Sequence, residues 1–227
     1  MQMMCIIETI SCNSVSTISL DHCKTVLKSK GFVVNQNKCK VLRICRSRAH
    51  TTVNSSGFTE VTSLKILGVV FANNWKWHDQ VSVVLRAASK RLHAVRLMRN
   101  VVHAQKVMQV YHALITSLFL YASPIYGNLP VSLMNKLEKF QRRAHRIICG
   151  PDCECDGFPS LREKFESAAV CLFLKAEANA EHPLHSFLPP RMPASRQLKM
   201  PFCTTSRRLN SFLPWAIQLC NSLQYKC

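Results

Sequence analysis

Apolar and polar positions change rhythm once along this chain. Up to about residue 74 the apolar residues come in short β-branched and aromatic runs separated by turn residues: GFVV (31–34), residues 39–44 and LKILGVVF (64–71), with NSSG (54–57) as the expected hairpin turn between the last two. Residues 21–30 carry a helical pattern stopped by Gly31 and are expected to lie against that small sheet. WKW (75–77) marks the change, and from His78 onward apolar residues recur at helical intervals. Over 78–99, Val81, Val84, Ala88, Leu92 and Val95 form one stripe, with Arg86, Lys90 and His93 opposite it. Further helices are predicted at 105–122, at 132–149 closed by Gly150, and at 161–180, where Ser160 and Glu163 form a capping box and Pro183 sets the end. Residues 182–208, rich in Pro, Ser and basic residues, read as a linker or surface arm, and Pro214 suits the first turn of a last helix, 214–223. No internal repeat is visible.

Charge narrows the class of partner. Thirty Lys and Arg against twelve Asp and Glu give +18, far more than solubility requires, and this favours a polyanion. The apolar fraction of 48% in 227 residues is enough for a core, so disorder is not expected. Twelve cysteines would fit a secreted disulfide scaffold, but MQMMCIIETI has no basic n-region. The thiols are therefore expected to be reduced and the chain intracellular, nuclear or cytoplasmic. Residues 107–135 hold no Lys, Arg, Asp or Glu, yet the dense apolar part, ALITSLFLYA (113–122), is half the length of a span and is followed by Pro124, Gly127 and Pro130. A buried helix is expected there, and no membrane partner.

Candidate chemistry is sparse. Cys149, Cys153 and Cys155, interleaved with Asp152, Glu154 and Asp156, invite a zinc reading, but no second ligand pair follows at a regular distance; the stretch reads as an acidic loop and no metal is assigned. There is no G-x-S-x-G elbow and no Walker loop, and Phe140, Phe165 and Phe173 stand at helical spacings that mean core.

A series of short segments in fixed order carries a resemblance. GFVVNQNKCK (31–40) is similar to the "GL-x-x-N-x-x-K-T" segment that follows the active-site hairpin of non-LTR (LINE-type) retrotransposon reverse transcriptases, and LGV (67–69) to their primer-grip "YLGV". NNWKWHDQV (73–81) resembles the "L-x-W-x-x-H-I" entry into the thumb, with Trp77 matching the tryptophan. YASPIYG (121–127) looks like "YASPVWG", with Tyr126 where tryptophan is usual, and LEKFQRRAHRIICG (137–150) looks like "L-x-x-x-Q-R-R-A-x-R-x-I-x-G". RLNSFLPWAI (208–217) resembles a segment near the end of these reading frames.

The resemblance implies an α+β chain: a small antiparallel palm-edge sheet with a primer-grip-like strand (1–74), a mainly helical thumb (75–150), and a helical C-terminal extension with a Pro-rich linker (151–227). It implies an RNA template and an RNA–DNA or DNA primer duplex as partners, with no small-molecule substrate for this chain alone. Lys38 matches a proposed general acid of the intact enzyme, and Leu67 and Gly68 match primer-grip positions; read without the family, Lys38 is a solvated turn lysine and Leu67 and Gly68 a core residue and a strand glycine. Arg86, Lys90, His93, Arg96, Lys136, Lys139, Arg142, Arg143 and Arg146 are the expected phosphate contacts, which would position a duplex without reading its sequence. The intact enzyme would hold magnesium on clustered aspartates, but this chain has no two adjacent acidic residues. It is therefore expected to be a truncated reverse transcriptase, with no cofactor and inactive in isolation. The rival expectations are a non-functional retroelement relic and a basic membrane-associated protein anchored by 107–122.

Overall fold

The computed structural model describes residues 6–9, 20–33, 35, 40–44, 59–150, 159–192 and 197–224. The chain divides into two compact units, residues 1–80 and 81–227.

The first unit contains β1 (Ile6–Thr9), α1 (Leu20–Ser29), β2 (Lys40–Ile44), β3 (Thr59–Val61), β4 (Ser63–Ile66) and β5 (Val69–Ala72). α1 closes as the sequence predicts. Gly31 takes φ +77°, its N–H donates to Lys28 O at 3.0 Å, and the Phe32 N–H reaches back to Leu27 O at 2.9 Å, the paired bonds of a Schellman end. That closure engages the Phe32 N–H, and residues 31–33 are irregular chain instead of the expected strand. β2 pairs in parallel with both β1 and β3, Val41 lying between Ile6 and Glu60. Antiparallel pairing, expected for the whole sheet, joins β4 and β5 alone among the described strands. The reason is connection length: residues 10–39, with α1, join β1 to β2, and 45–58 join β2 to β3, both long enough for the crossover that parallel neighbours need. The expected turn at 54–57 lies outside the described residues.

The run 64–71, expected as one strand, is folded back on itself. Ile66 pairs with Val69, leaving Leu67 and Gly68 as a two-residue turn with φ of 46° and 86°. Two positive φ values are the signature of a type I′ hairpin, the turn whose twist matches that of its strands. Leu42 and Leu64 are buried with Val61, Ile66, Phe71 and Trp75 packed on them. Phe71 meets Trp75 and Trp77 edge to face, at 6.1 and 5.7 Å between ring centres. The buried Gln80 side chain accepts from the Val70 N–H at 2.9 Å, tying β5 to the chain that follows the tryptophans.

The second unit is helical, and with the small sheets the fold is α+β. Its elements are α2 (His78–Arg99, of which Val81 onward belongs here), α3 (Ala104–Tyr111), a π turn (His112–Thr116), α4 (Ser117–Leu120), α5 (Ser123–Tyr126), α6 (Val131–Cys149), α7 (Leu161–Ala178), α8 (Ser206–Leu209) and α9 (Phe212–Gln224). The predicted α2 stripe, Val81, Val84, Ala88, Leu92 and Val95, is buried throughout. The helix expected over 105–122 is interrupted. A π turn breaks it at 112–116, and Pro124, having no N–H for the Leu120 carbonyl, marks its end: Tyr121 is extended at ψ 121° and Ala122 left-handed at φ 55°.

Tyr126 anchors this region. Its hydroxyl donates to Phe119 O at 2.5 Å and its ring stands edge to face on Phe165 of α7 at 5.8 Å, while Phe119 meets Phe140 of α6 at 5.7 Å. Residues beyond 150 share this core. Ser160 caps α7 through the Glu163 N–H at 3.1 Å. The helix stops at Ala178, short of Pro183, where Asn179 turns extended and its Oδ1 accepts from the Glu181 N–H at 2.9 Å. The segment read as a linker is pinned at Leu198, which is buried with Phe173, Ala216, Ile217 and Cys220. Its backbone exchanges two hydrogen bonds with the Asn221 side chain, 3.0 and 3.1 Å, because a buried backbone amide needs a partner.

No helix among the described residues is long and apolar enough to cross a membrane. In 107–122 the apolar residues Val107, Tyr111, Ile115 and Phe119 are buried, while Leu114 and Tyr121 are exposed.

Candidate nucleic-acid interface

Helix geometry sets the basic residues of α2 and α6 apart from the core. On α6, Lys136, Lys139, Arg143 and Arg146 fall within about 80° of one another at 3.6 residues per turn, opposite the buried Leu137, Phe140, Ala144 and Ile148, with Arg142 at the edge of the arc. On α2, Arg86, Lys90 and His93 cluster opposite the buried stripe, and Arg96 and then Arg99 progress round the cylinder. All of these side chains are exposed.

Packing decides which of them meet. Arg96, Arg99 and Asn100 from the end of α2 and Arg143, Arg146 and Ile147 from the end of α6 line a cavity of about 340 Å³. A second cavity of about 180 Å³ is lined by Ser89, Leu92, His93, Arg96, Arg143 and Ile147. The two share Arg96, Arg143 and Ile147 and make one groove with an apolar floor and a cationic rim. Among the described residues no carboxylate lines it. Of the nine expected phosphate contacts, His93, Arg96, Arg143 and Arg146 come together here; Arg86, Lys90, Lys136, Lys139 and Arg142 do not line these cavities.

Arg99 and Asn100 complete the groove and were missed in the sequence. The signal was present: Arg99 follows Arg96 at a three-residue spacing, on neighbouring helical positions. The Arg99 guanidinium stands over the end of α6, 3.6 Å from where a Cβ on Gly150 would lie. Gly150 has φ +98° and its N–H donates to Arg146 O at 3.1 Å, a conformation that suits a residue without a side chain at the end of α6. Burial pushes the Cys149 thiol up from its ordinary range, and the charge of Arg99 pulls it partly back.

A second polar cluster lies round the π turn. His112 Nδ1 is 3.1 Å from Thr116 Oγ1, and Glu138 of α6 accepts from the Arg162 N–H at 3.3 Å. Burial pushes the Tyr111 phenol up to about 12, against the bond to Thr116. Burial and the nearby Lys164 both hold the His112 imidazole below its usual value. The π turn is further held by Arg91, which donates to Leu114 O, and by the Ser117 hydroxyl on Ala113 O. These bonds hold a break in the helix.

The remaining candidates lie elsewhere. Leu67, with 86% of its surface exposed, and Gly68 form the tip of the β4–β5 hairpin, not a core residue and a mid-strand glycine. Lys38, Cys153 and Cys155 lie outside the described residues. Among the described residues no three His, Cys, Asp or Glu side chains are grouped to hold a metal ion. Comparison with protein families, curated proteins and solved structures finds no match to the chain.

Proposed function

We propose that residues 81–227 bind the phosphate backbone of nucleic acid through the α2–α6 groove, the role of a reverse-transcriptase thumb holding an RNA template and its primer duplex. One observation carries this reading: four arginines from two helices line one groove, with no carboxylate among the described residues of its lining. A charged helix face by itself is usually only solvated surface. Two such faces converging in a chain at +18 would instead meet mutual repulsion that a polyanion relieves. Leu92 and Ile147 along the floor would exclude water beneath the guanidiniums and strengthen charge-assisted bonds to phosphate oxygens. RRAHR (142–146) lies on α6, and its similarity to a segment of LINE-type reverse transcriptases favours an RNA–DNA hybrid as the ligand. Polymerase chemistry is no part of the proposal, because the chain offers no adjacent acidic pair.

The test is fluorescence anisotropy with a short RNA–DNA hybrid over a series of salt concentrations. Changing Arg96, Arg143 and Arg146 together to alanine should weaken binding at least about tenfold and flatten the log–log salt slope by up to about 0.9 for each phosphate no longer neutralised. A control with Arg86 and Lys90 changed should lose less. A folded groove variant that binds like the parent chain would reduce these arginines to surface charge, as the relic reading expects.

A further inference from the structure

Charge is unevenly distributed along the groove, and the unevenness points to a particular kind of phosphate. The smaller cavity has two arginines and a histidine in its lining; the larger has four arginines and an asparagine. Arg96 with Arg99, and Arg143 with Arg146, are pairs three residues apart, so each pair has Cβ atoms roughly 5–6 Å from one another. Two such pairs across one cavity surround a small volume instead of laying out a ladder of single cations. Opposing them are the C-terminal ends of α2 and α6, which contribute about half a negative charge each. Arg99 and Arg146 stand in those last turns, so part of their charge is matched by the helix ends. Even after that offset about three positive charges remain, with no acid among the described residues lining the cavity to balance them. An interior phosphodiester brings one negative charge and leaves most of this excess unmatched. The cavity, at about 340 Å³, has room for a larger, more highly charged group.

We infer that the wide end of the groove is a binding site for a phosphate group carrying two or more negative charges, either the terminal phosphomonoester of a nucleic-acid strand or a free pyrophosphate-type ion. Paired guanidiniums present the planar forks that grip such groups through two oxygens at once, and the Asn100 amide adds a neutral donor. The inference deepens the nucleic-acid reading, on which the strand-end source rests; the free-ion source does not depend on it.

The experiment compares three single strands of one sequence by anisotropy at fixed pH and salt: 5′-hydroxyl, 5′-phosphate, and 5′-methylphosphate, which keeps the phosphorus but carries one charge less. Calorimetric titration with inorganic pyrophosphate runs beside it. A strand-end site predicts that the 5′-phosphate binds at least about tenfold tighter than both other strands, the scale of one charge-assisted hydrogen bond. A free-ion site predicts saturable pyrophosphate binding with three equal strands. In either case the double variant Arg99→Lys with Arg146→Lys, which keeps the charge and loses the forks, should abolish the effect. Three equal strands together with no pyrophosphate heat overturn the inference yet leave backbone binding standing. Pyrophosphate binding without any strand binding would do the opposite, and an effect unchanged in the lysine variant would remove the site from this groove.

Discussion

At the residue scale, the tightest constraint is Gly127. A Cβ there would lie 2.5 Å from Ser123 O, 3.0 Å from the Trp215 ring and 3.3 Å from Phe165, with backbone on one side and packed aromatic groups on the other. Gly127→Ala should therefore cost about 3 kcal/mol, the upper end for an overpacked core, read as a drop in the denaturation midpoint. Tyr126→Phe keeps the ring on Phe165 and orphans the Phe119 carbonyl, for about 1 kcal/mol. Tyr111 and Tyr126 make stability fall in alkali. Burial raises both phenols above the unfolded value, Tyr111 to about 12, so the unfolded chain loses these protons first. Their contribution is complete below about pH 10 and is lost as pH rises through the raised values, with Tyr111 worth about 3 kcal/mol between about pH 10 and 12. Urea midpoints at pH 8 and pH 11 check the sign, and Tyr111→Phe should flatten the dependence. His112 runs the other way: with its value depressed, its contribution is present above the ordinary imidazole range and is lost as pH falls below it.

At the element scale, the β4–β5 hairpin turns on a residue poorly suited to its place. Leu67 is exposed with φ +46°, where a type I′ turn favours asparagine ahead of glycine. Leu67→Asn should raise stability by about 0.5–1 kcal/mol, since leucine is strained at positive φ and asparagine largely avoids that strain. Measuring hybrid affinity on the same variant separates the two roles of this position: a more stable hairpin with weaker binding would mark a contact at the tip, and unchanged binding would leave only the turn. Helix ends were the most legible feature of the sequence. Gly31, Ser160 and Gly150 each act locally, through a positive φ or a hydroxyl on a nearby N–H, and each ends or starts its helix as read. The π turn at 112–116 was not legible, because nothing in HALIT distinguishes a π bond pattern from an α one; the difference is held by Arg91, distant in sequence, bonding the Leu114 carbonyl.

For the whole molecule, two compact units with separate hydrophobic clusters predict two calorimetric transitions, the larger enthalpy belonging to residues 81–227 because enthalpy scales with chain length. Pyrophosphate at one hundred times its dissociation constant should stabilise that transition by about 2.7 kcal/mol and leave the smaller one in place. A shift of both transitions together would mean that the units unfold as one.

Neighbours in the chain decide where α1 and α6 stop, where α7 starts, which face of α2 is apolar, and that α6 carries its arginines away from the core, and all of this was legible in the sequence. Caps, turns and amphipathic periodicity are local properties, written within a few residues of where they act. Long-range packing alone decided the parallel pairing of β1, β2 and β3, the pinning of Leu198 by Asn221, and the choice of four arginines from a larger basic set. Each depends on the approach of segments far apart in sequence, where packing of side-chain volumes sets the geometry. The groove exists because α2 and α6 converge at their C-terminal ends, and no spacing along either helix records that convergence.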